Sequence, residues 1–143
     1  MEKAVVDLVK QLRDEVIQKY ISSGLIASGN FEKETTVIDE GSSVKIIAPA
    51  YVYQMISGRR AGTAPPVSVI RDWIREKNKR GADIPEEAAW AIVTKIKQDG
   101  IRVPNPYNDG TAVTSVLNPS RVQQLVVDIN QIIKAKLLDV LMK

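Results

Sequence analysis

Three prolines and three glycines divide this chain before any other feature is weighed. Pro66, Pro85 and Pro119 each stand at the head of an apolar pattern spaced by three and four, and Gly24, Gly81 and Gly100 each follow one. Proline has no N–H and its φ is already near the helical value, so it suits a first turn. Glycine takes up the positive φ that ends a helix. The punctuation alone therefore predicts a helix before Gly24, two central helices over 66–81 and 85–100, and a final helix after Pro119.

The apolar spacing agrees. Val5, Leu8, Val9, Leu12, Val16 and Tyr20 make one stripe over residues 3–22, and Val67, Ile70, Trp73 and Ile74 make another. In the third helix Ala88, Ala89, Ile92, Val93 and Ile96 share a face, and Glu86 and Glu87 complement the positive end of its dipole. Asn118 is placed to cap the last helix, whose apolar residues run from Val122 to Leu141. That stripe is wider than a one-sided contact needs, so part of it is expected to face another subunit.

Between Gly24 and Pro66 the period changes. Thr35, Thr36, Val37 and Ile38 favour strand, "DEGSS" is a turn signal, and "SVKIIA" resumes strand, which predicts an antiparallel hairpin. "YVYQMIS" fits either a continued strand or a short helix, and "TAVTSVL" fits at most a short strand. The order is α-β-β-α-α-(β)-α, an α+β fold with an N-terminal helix, a β-hairpin or small sheet, two central helices and a long C-terminal helix. At 143 residues, 44% of them hydrophobic and 26% charged, the chain is expected to form a single domain over 1–143.

Cysteine and histidine are both absent. No disulfide, thiolate metal site, cysteine nucleophile or Ser-His-Asp triad can be built, and the commonest general base is missing. Adjacent carboxylates such as Asp14–Glu15, Asp39–Glu40 and Glu86–Glu87 point in different directions and read as solvated faces or a capped first turn. The expectation is a protein without catalytic residues, metal or cofactor. The apolar runs are far shorter than the ~20 residues of a membrane span, and charges interrupt the N-terminal stretch where a signal peptide would be apolar. A protein made in a cytoplasm is expected.

Charge is unevenly spread. Residues 59–80 hold Arg59, Arg60, Arg71, Arg75, Lys77, Lys79 and Arg80 against Asp72 and Glu76, a net of +5. Three readings compete: a solvated helix face, a docking surface for a subunit or partner, and a nucleic-acid site. "GRRAGTAPP" matches neither the dinucleotide fingerprint nor the P-loop, and its two prolines remove donors an anion would use. Two helices around "KRGADIP" allow a helix-turn-helix, yet "EEAAWAIVTKIKQD" opens acidic and offers no Arg, Asn or Gln in its first turns. With one Phe, two Trp and four Tyr, a stacking platform for single strands is unsupported.

"APAYVYQMISGRRAGTAPPVSVIRDWIREK", followed by "EEAAWAIVTKIKQDGI", is similar to the tail-completion or head–tail joining proteins of tailed bacteriophages. The matching positions are Tyr51, Tyr53, Gly58, Arg59, Gly62, Pro65, Pro66, Ile70, Trp73, Ala88, Ala89, Ile92, Lys95, Ile96 and Gly100, within residues 48–101. The chain departs from that pattern at Gln54 and Met55, where the family often has a glutamate, and in its long last helix, where the family usually has a short aromatic tail. The resemblance implies a non-enzymatic virion protein at the neck or tail terminator. It would form a homo-oligomeric ring, often sixfold and alternatively twelvefold, and contact portal-adaptor, neck and tail proteins. It implies no membrane partner and no specific nucleic acid. On this reading Tyr51, Tyr53, Gly58, Arg59, Arg60, Gly62, Pro65, Pro66, Arg71 and Arg75 form the subunit or partner interface. Arg59 and Arg60 project from flexible glycines, and Ile70 and Trp73 anchor the second helix to the core. The alternative function is a small basic, helix-turn-helix-like nucleic-acid-binding protein.

Overall fold

The computed structural model describes residues 1–25 and 30–143, and among these the chain is α+β in the expected order. Helix α1 spans Lys3–Ser22, with Val5, Val9, Leu12, Val16, Ile17 and Tyr20 buried along one face. A short helix α2, Asn30–Glu34, precedes the hairpin and was not expected. Its polar sequence "NFEKE" is held by one apolar residue, Phe31, which is 1% exposed and stacks 4.2 Å from the Tyr20 ring.

Strands β1 (Thr36–Asp39) and β2 (Val44–Ile47) pair antiparallel with Thr36 opposite Ile47 and Asp39 opposite Val44. The turn closes through the Glu40 N–H donating to Ser43 O at 2.9 Å and the Gly41 N–H donating to Asp39 Oδ1 at 2.8 Å. "YVYQMIS" resolves as helix: α3 covers Val52–Ser57. Pro49 cannot extend the ladder, and the next turn closes helically through the Val52 N–H to Pro49 O. The segment "TAVTSVL" forms successive turns rather than a strand. Ala112 and Val113 are buried there, so the apolar alternation serves packing without any strand partner.

Helix α4 spans Val67–Lys79, with Pro66 at its N-cap rather than inside the first turn. A 3-10 turn, Glu86–Ala88, follows Pro85 and leads into α5, Ala89–Asp99. Helix α6 spans Pro119–Leu141, and the Asn118 side chain accepts from the Arg121 N–H as the cap predicts. The buried apolar side chains fall in two groups. One joins Val16, Ile17 and Tyr20 of α1 with Phe31 and Val113, and α3 packs on it through Val52, Met55 and Ile56. The other lies between α4 and α5, where Ile74 and Ala89 are fully buried and Val93 nearly so.

This packing corrects the expected anchor of α4. Trp73 is 38% exposed and Ile70 only partly buried, while Ile74 is the residue the fold encloses. Trp73 and Ile74 are adjacent and project about 100° apart on the helix. Ile74 is buried where α4 packs on α5, beside the buried Ala89 and Val93.

The α4–α5 unit is tied to the rest by a backbone clasp. Arg59 and Ile101 exchange two hydrogen bonds, N–H to O at 2.8 Å in each direction. Each is preceded by a glycine that ends a helix, Gly58 after α3 at φ 80°, ψ −164° and Gly100 after α5 at φ 68°, ψ −161°. Only glycine occupies that region readily. A Cβ on Gly58 would stand 2.1 Å from Ile101 O, and one on Gly100 would stand 2.2 Å from Arg59 O. The two glycines are thus required by close approach as well as by φ, and they do not act as flexible joints beside Arg59.

Two stability outcomes follow. Gly100→Ala combines positive-φ strain with a backbone collision and is expected to cost about 2–5 kcal/mol; an unchanged melting temperature would show that the clasp can open without loss. Ile74→Ala is expected to cost about 3–4 kcal/mol and the half-exposed Trp73→Ala about 2. The reverse order of melting temperatures would return Trp73 to the core.

Candidate functional site

Burying Ile74 leaves Val69, Asp72, Trp73 and Glu76 on another face of α4. These residues form one wall of a cleft of about 510 Å³, with Tyr20, Leu25, Glu34, Tyr51 and Met55 opposite. A second cleft of about 930 Å³ shares Leu25, Tyr51, Met55 and Trp73 and continues past Ile84, Ile101 and Tyr107. The groove therefore lies where the two packed groups face each other, with Trp73 on its wall. Tyr51, one of the expected interface residues, is 39% exposed at its edge with its ring 6.4 Å from that of Phe31. Partial burial, with Tyr20 and the carboxylate of Glu34 nearby, pushes the Tyr51 phenol up to about 12. Tyr53, one residue beyond, is 74% exposed and does not line this groove.

The arginines do not act as one group. Arg60 is exposed, but Arg59 is half-buried: its Nη2 donates to Thr63 O at 3.3 Å and its Nε is buried without a partner. The expectation that both project freely is corrected for Arg59, because the clasp carries its backbone and sets its side chain against the 59–63 turn. Around them Gly58, Ile101 and Arg102 line a shallow depression, so the expected arginine pair gains a third cation from a distant part of the chain. Sequence reasoning missed Arg102; only its position just beyond Gly100 hinted at it.

Arg75 is also changed in role. Its guanidinium pairs with Glu86 across the α4–α5 turn and with Asp72 one turn back, and Glu86 is the main cause of its raised pKa. It braces α4 against the 3-10 turn and is not left free for a partner. Lys79 pairs with Glu76. Arg71 is half-buried and makes no ion pair among the described residues. Pro65 is buried, Pro66 is exposed at the helix cap, and Gly62, at φ 113°, donates its N–H to Lys97 O at 2.7 Å. That bond adds a second tie between the 58–66 segment and α5.

Helix α6 offers a different surface. Arg121 makes a bidentate pair with Glu15 of α1, Nε to Oε2 at 3.2 Å and Nη2 to Oε1 at 2.9 Å. Lys136 lies 4.0 Å from Glu2. Helix α6 thus runs antiparallel to α1, with these two pairs between them. No residue of α6 is buried, and Val126, Ile133, Leu137 and Leu141 are each at least half exposed.

Among the described residues no cluster of His, Cys, Asp or Glu could hold a metal ion, and no helix is long and apolar enough to cross a membrane. Comparison with known proteins gives no match to a family model, a curated protein or a solved structure.

The raised phenol has a measurable consequence. The unfolded chain ionises Tyr51 near 10 while the folded chain holds the proton until about 12. Between those values the unfolded state binds fewer protons, so this group's stabilisation is complete below pH 10 and declines as pH rises towards 12. Tyr51→Phe is expected to flatten that part of the stability–pH curve relative to the wild type. Superimposable curves would place Tyr51 in solvent.

Proposed function

We propose that this chain is a non-enzymatic structural protein of a tailed-bacteriophage virion. It forms a homo-oligomeric ring at the head–tail junction or the top of the tail, and so completes the tail and joins it to the portal complex. The observation that carries the reading is the apolar surface of α6, a 23-residue helix without one buried side chain. Soluble chains rarely leave so long an apolar stripe to water, and contiguous apolar surface of this kind marks a protein contact. Repetition of one contact around a closed ring is an economical way to cover it on every copy. The resemblance of residues 48–101 to phage tail-completion proteins supplies the setting, and the ring would sit in the virion neck after synthesis in the host cytoplasm.

The cations of α4 suit this reading better than nucleic-acid binding. Arg75 and Lys79 are engaged within the chain, and the head of α5 presents Glu86 and Glu87 where a recognition helix would read bases. Native mass spectrometry and sedimentation across a range of concentrations test the proposal. A discrete oligomer, six or twelve subunits, is expected, with duplex DNA bound no more tightly than about 10⁻⁶ M at physiological salt. A monomer at every concentration, or sequence-selective nanomolar binding to DNA, would overturn it.

A further inference from the structure

We propose that the depression framed by Arg59, Arg60 and Arg102 is a binding site for a phosphate group, taken as the free ion or as a monoester. The inference goes beyond the ring reading and does not depend on it.

The first argument is convergence. Arg60 and Arg102 each directly follow a member of the Arg59–Ile101 bridge, so the clasp sets two distant segments side by side. Arg59, Arg60 and Arg102 all line the one depression that results, and no acidic residue lines it. Gly58 lines it too and adds no side chain to fill it. The Ser57 hydroxyl at its edge donates to Tyr53 O at 2.8 Å, which leaves the arginines as the donors for an anion.

The second argument is that the chain leaves these cations without counter-charges. Arg13, Arg75 and Arg121 have carboxylate partners, whereas among the described residues Arg59, Arg60 and Arg102 have none. Asp99, the acid nearest Arg102 in sequence, is paired with Lys95. Arg59 is half-buried, with one long side-chain hydrogen bond, Nη2 to Thr63 O at 3.3 Å, and a buried Nε that has no partner. A cation partly removed from water and short of acceptors gains more from an anion than a fully solvated one does. Like charges around one depression also repel until an anion lies among them.

The third argument is the match of charge and oxygens. Each guanidinium presents a planar fork that suits a pair of oxygens. A carboxylate has a single charge and two oxygens, enough for one fork. A phosphate monoester has three terminal oxygens and close to two charges at neutral pH, which suits several forks at once. The phosphodiester of a nucleic acid keeps only two free oxygens and one charge. The donors here are side chains from two segments, so the site is unlike the backbone phosphate loops that "GRRAGTAPP" fails to match, and Pro65 and Pro66 take no part in it.

Equilibrium dialysis of the full chain against radiolabelled inorganic phosphate, at fixed ionic strength in chloride, tests the proposal whatever the oligomeric state. Saturable binding of one phosphate per chain is expected. Arg60→Gln and Arg102→Gln change exposed side chains and leave the backbone clasp in place. Each is expected to melt as the wild type does and to weaken phosphate binding about tenfold or more. Arg71→Gln removes another arginine without an ion pair, one that does not line the depression, and is expected to leave binding unchanged. Competition by phenyl phosphate would extend the site to monoesters, and its failure to compete would restrict the site to the free ion. Acetate competing as well as phosphate would overturn the assignment. So would an equal loss in Arg71→Gln, which would mean diffuse positive charge, or an oligothymidylate that displaces phosphate at lower concentration than phenyl phosphate does. Absence of saturable binding would remove the site altogether, and none of these results bears on the ring.

Discussion

The placement of α4 and α5 depends on how closely two backbone segments approach at Arg59 and Ile101. The pair of 2.8 Å hydrogen bonds between them closes residues 59–101 into an excursion from the main core. Without glycine at positions 58 and 100 the carbonyl oxygens on the opposite segment would collide with Cβ atoms. The approach in turn places α4 opposite α3, and the groove between them exists because the excursion has its own buried centre in Ile74, Ala89 and Val93. A looser join would let the two groups collapse on one another or separate.

The main core needs little of α6. Its buried members come from α1, α2 and the turns around Val113, and the hairpin packs on α1. Helix α6 is held at one end by a cap, Asn118, and an ion pair, Glu15–Arg121, at a site only partly shielded from water. Such a pair contributes about 1 kcal/mol. The helix is therefore positioned by the chain but not covered by it, and its orientation is set more firmly than its environment.

Helix ends and the hairpin were legible because they rest on local chemistry: proline at helix starts, glycine at stops, asparagine at a cap, and a turn signal between β-branched runs. What was not legible depended on side-chain size and distant partners. The stripe Ile70–Trp73–Ile74 identifies the inward side of α4 but not which of two neighbours, a narrow α5 or an open groove, receives the indole. Gly100 reads as a helix stop and Gly58 as a flexible joint, since nothing in a linear sequence shows that they face each other. Arg59 and Arg60 are adjacent and identical in type, yet one is fixed by the clasp and the other is exposed. Nothing in the linear sequence shows that Glu86, eleven residues on, lies against Arg75. "TAVTSVL" has strand composition but finds no edge to join.

The clasp also governs the order of assembly of the chain. Contacts inside the excursion are local, an αα-hairpin with a short connection, and such units form quickly. Closing a loop the length of residues 59–101 carries an entropic cost of about 3 kcal/mol, more than two hydrogen bonds return in water. The clasp is therefore expected to form only when α4 and α5 have already packed and brought its two strands together. During synthesis the hairpin of helices can collapse before its base is sealed, and sealing makes the loss of either part a loss of both. The excursion is then expected to open and exchange its amide protons as one cooperative unit, separate from the α1 core.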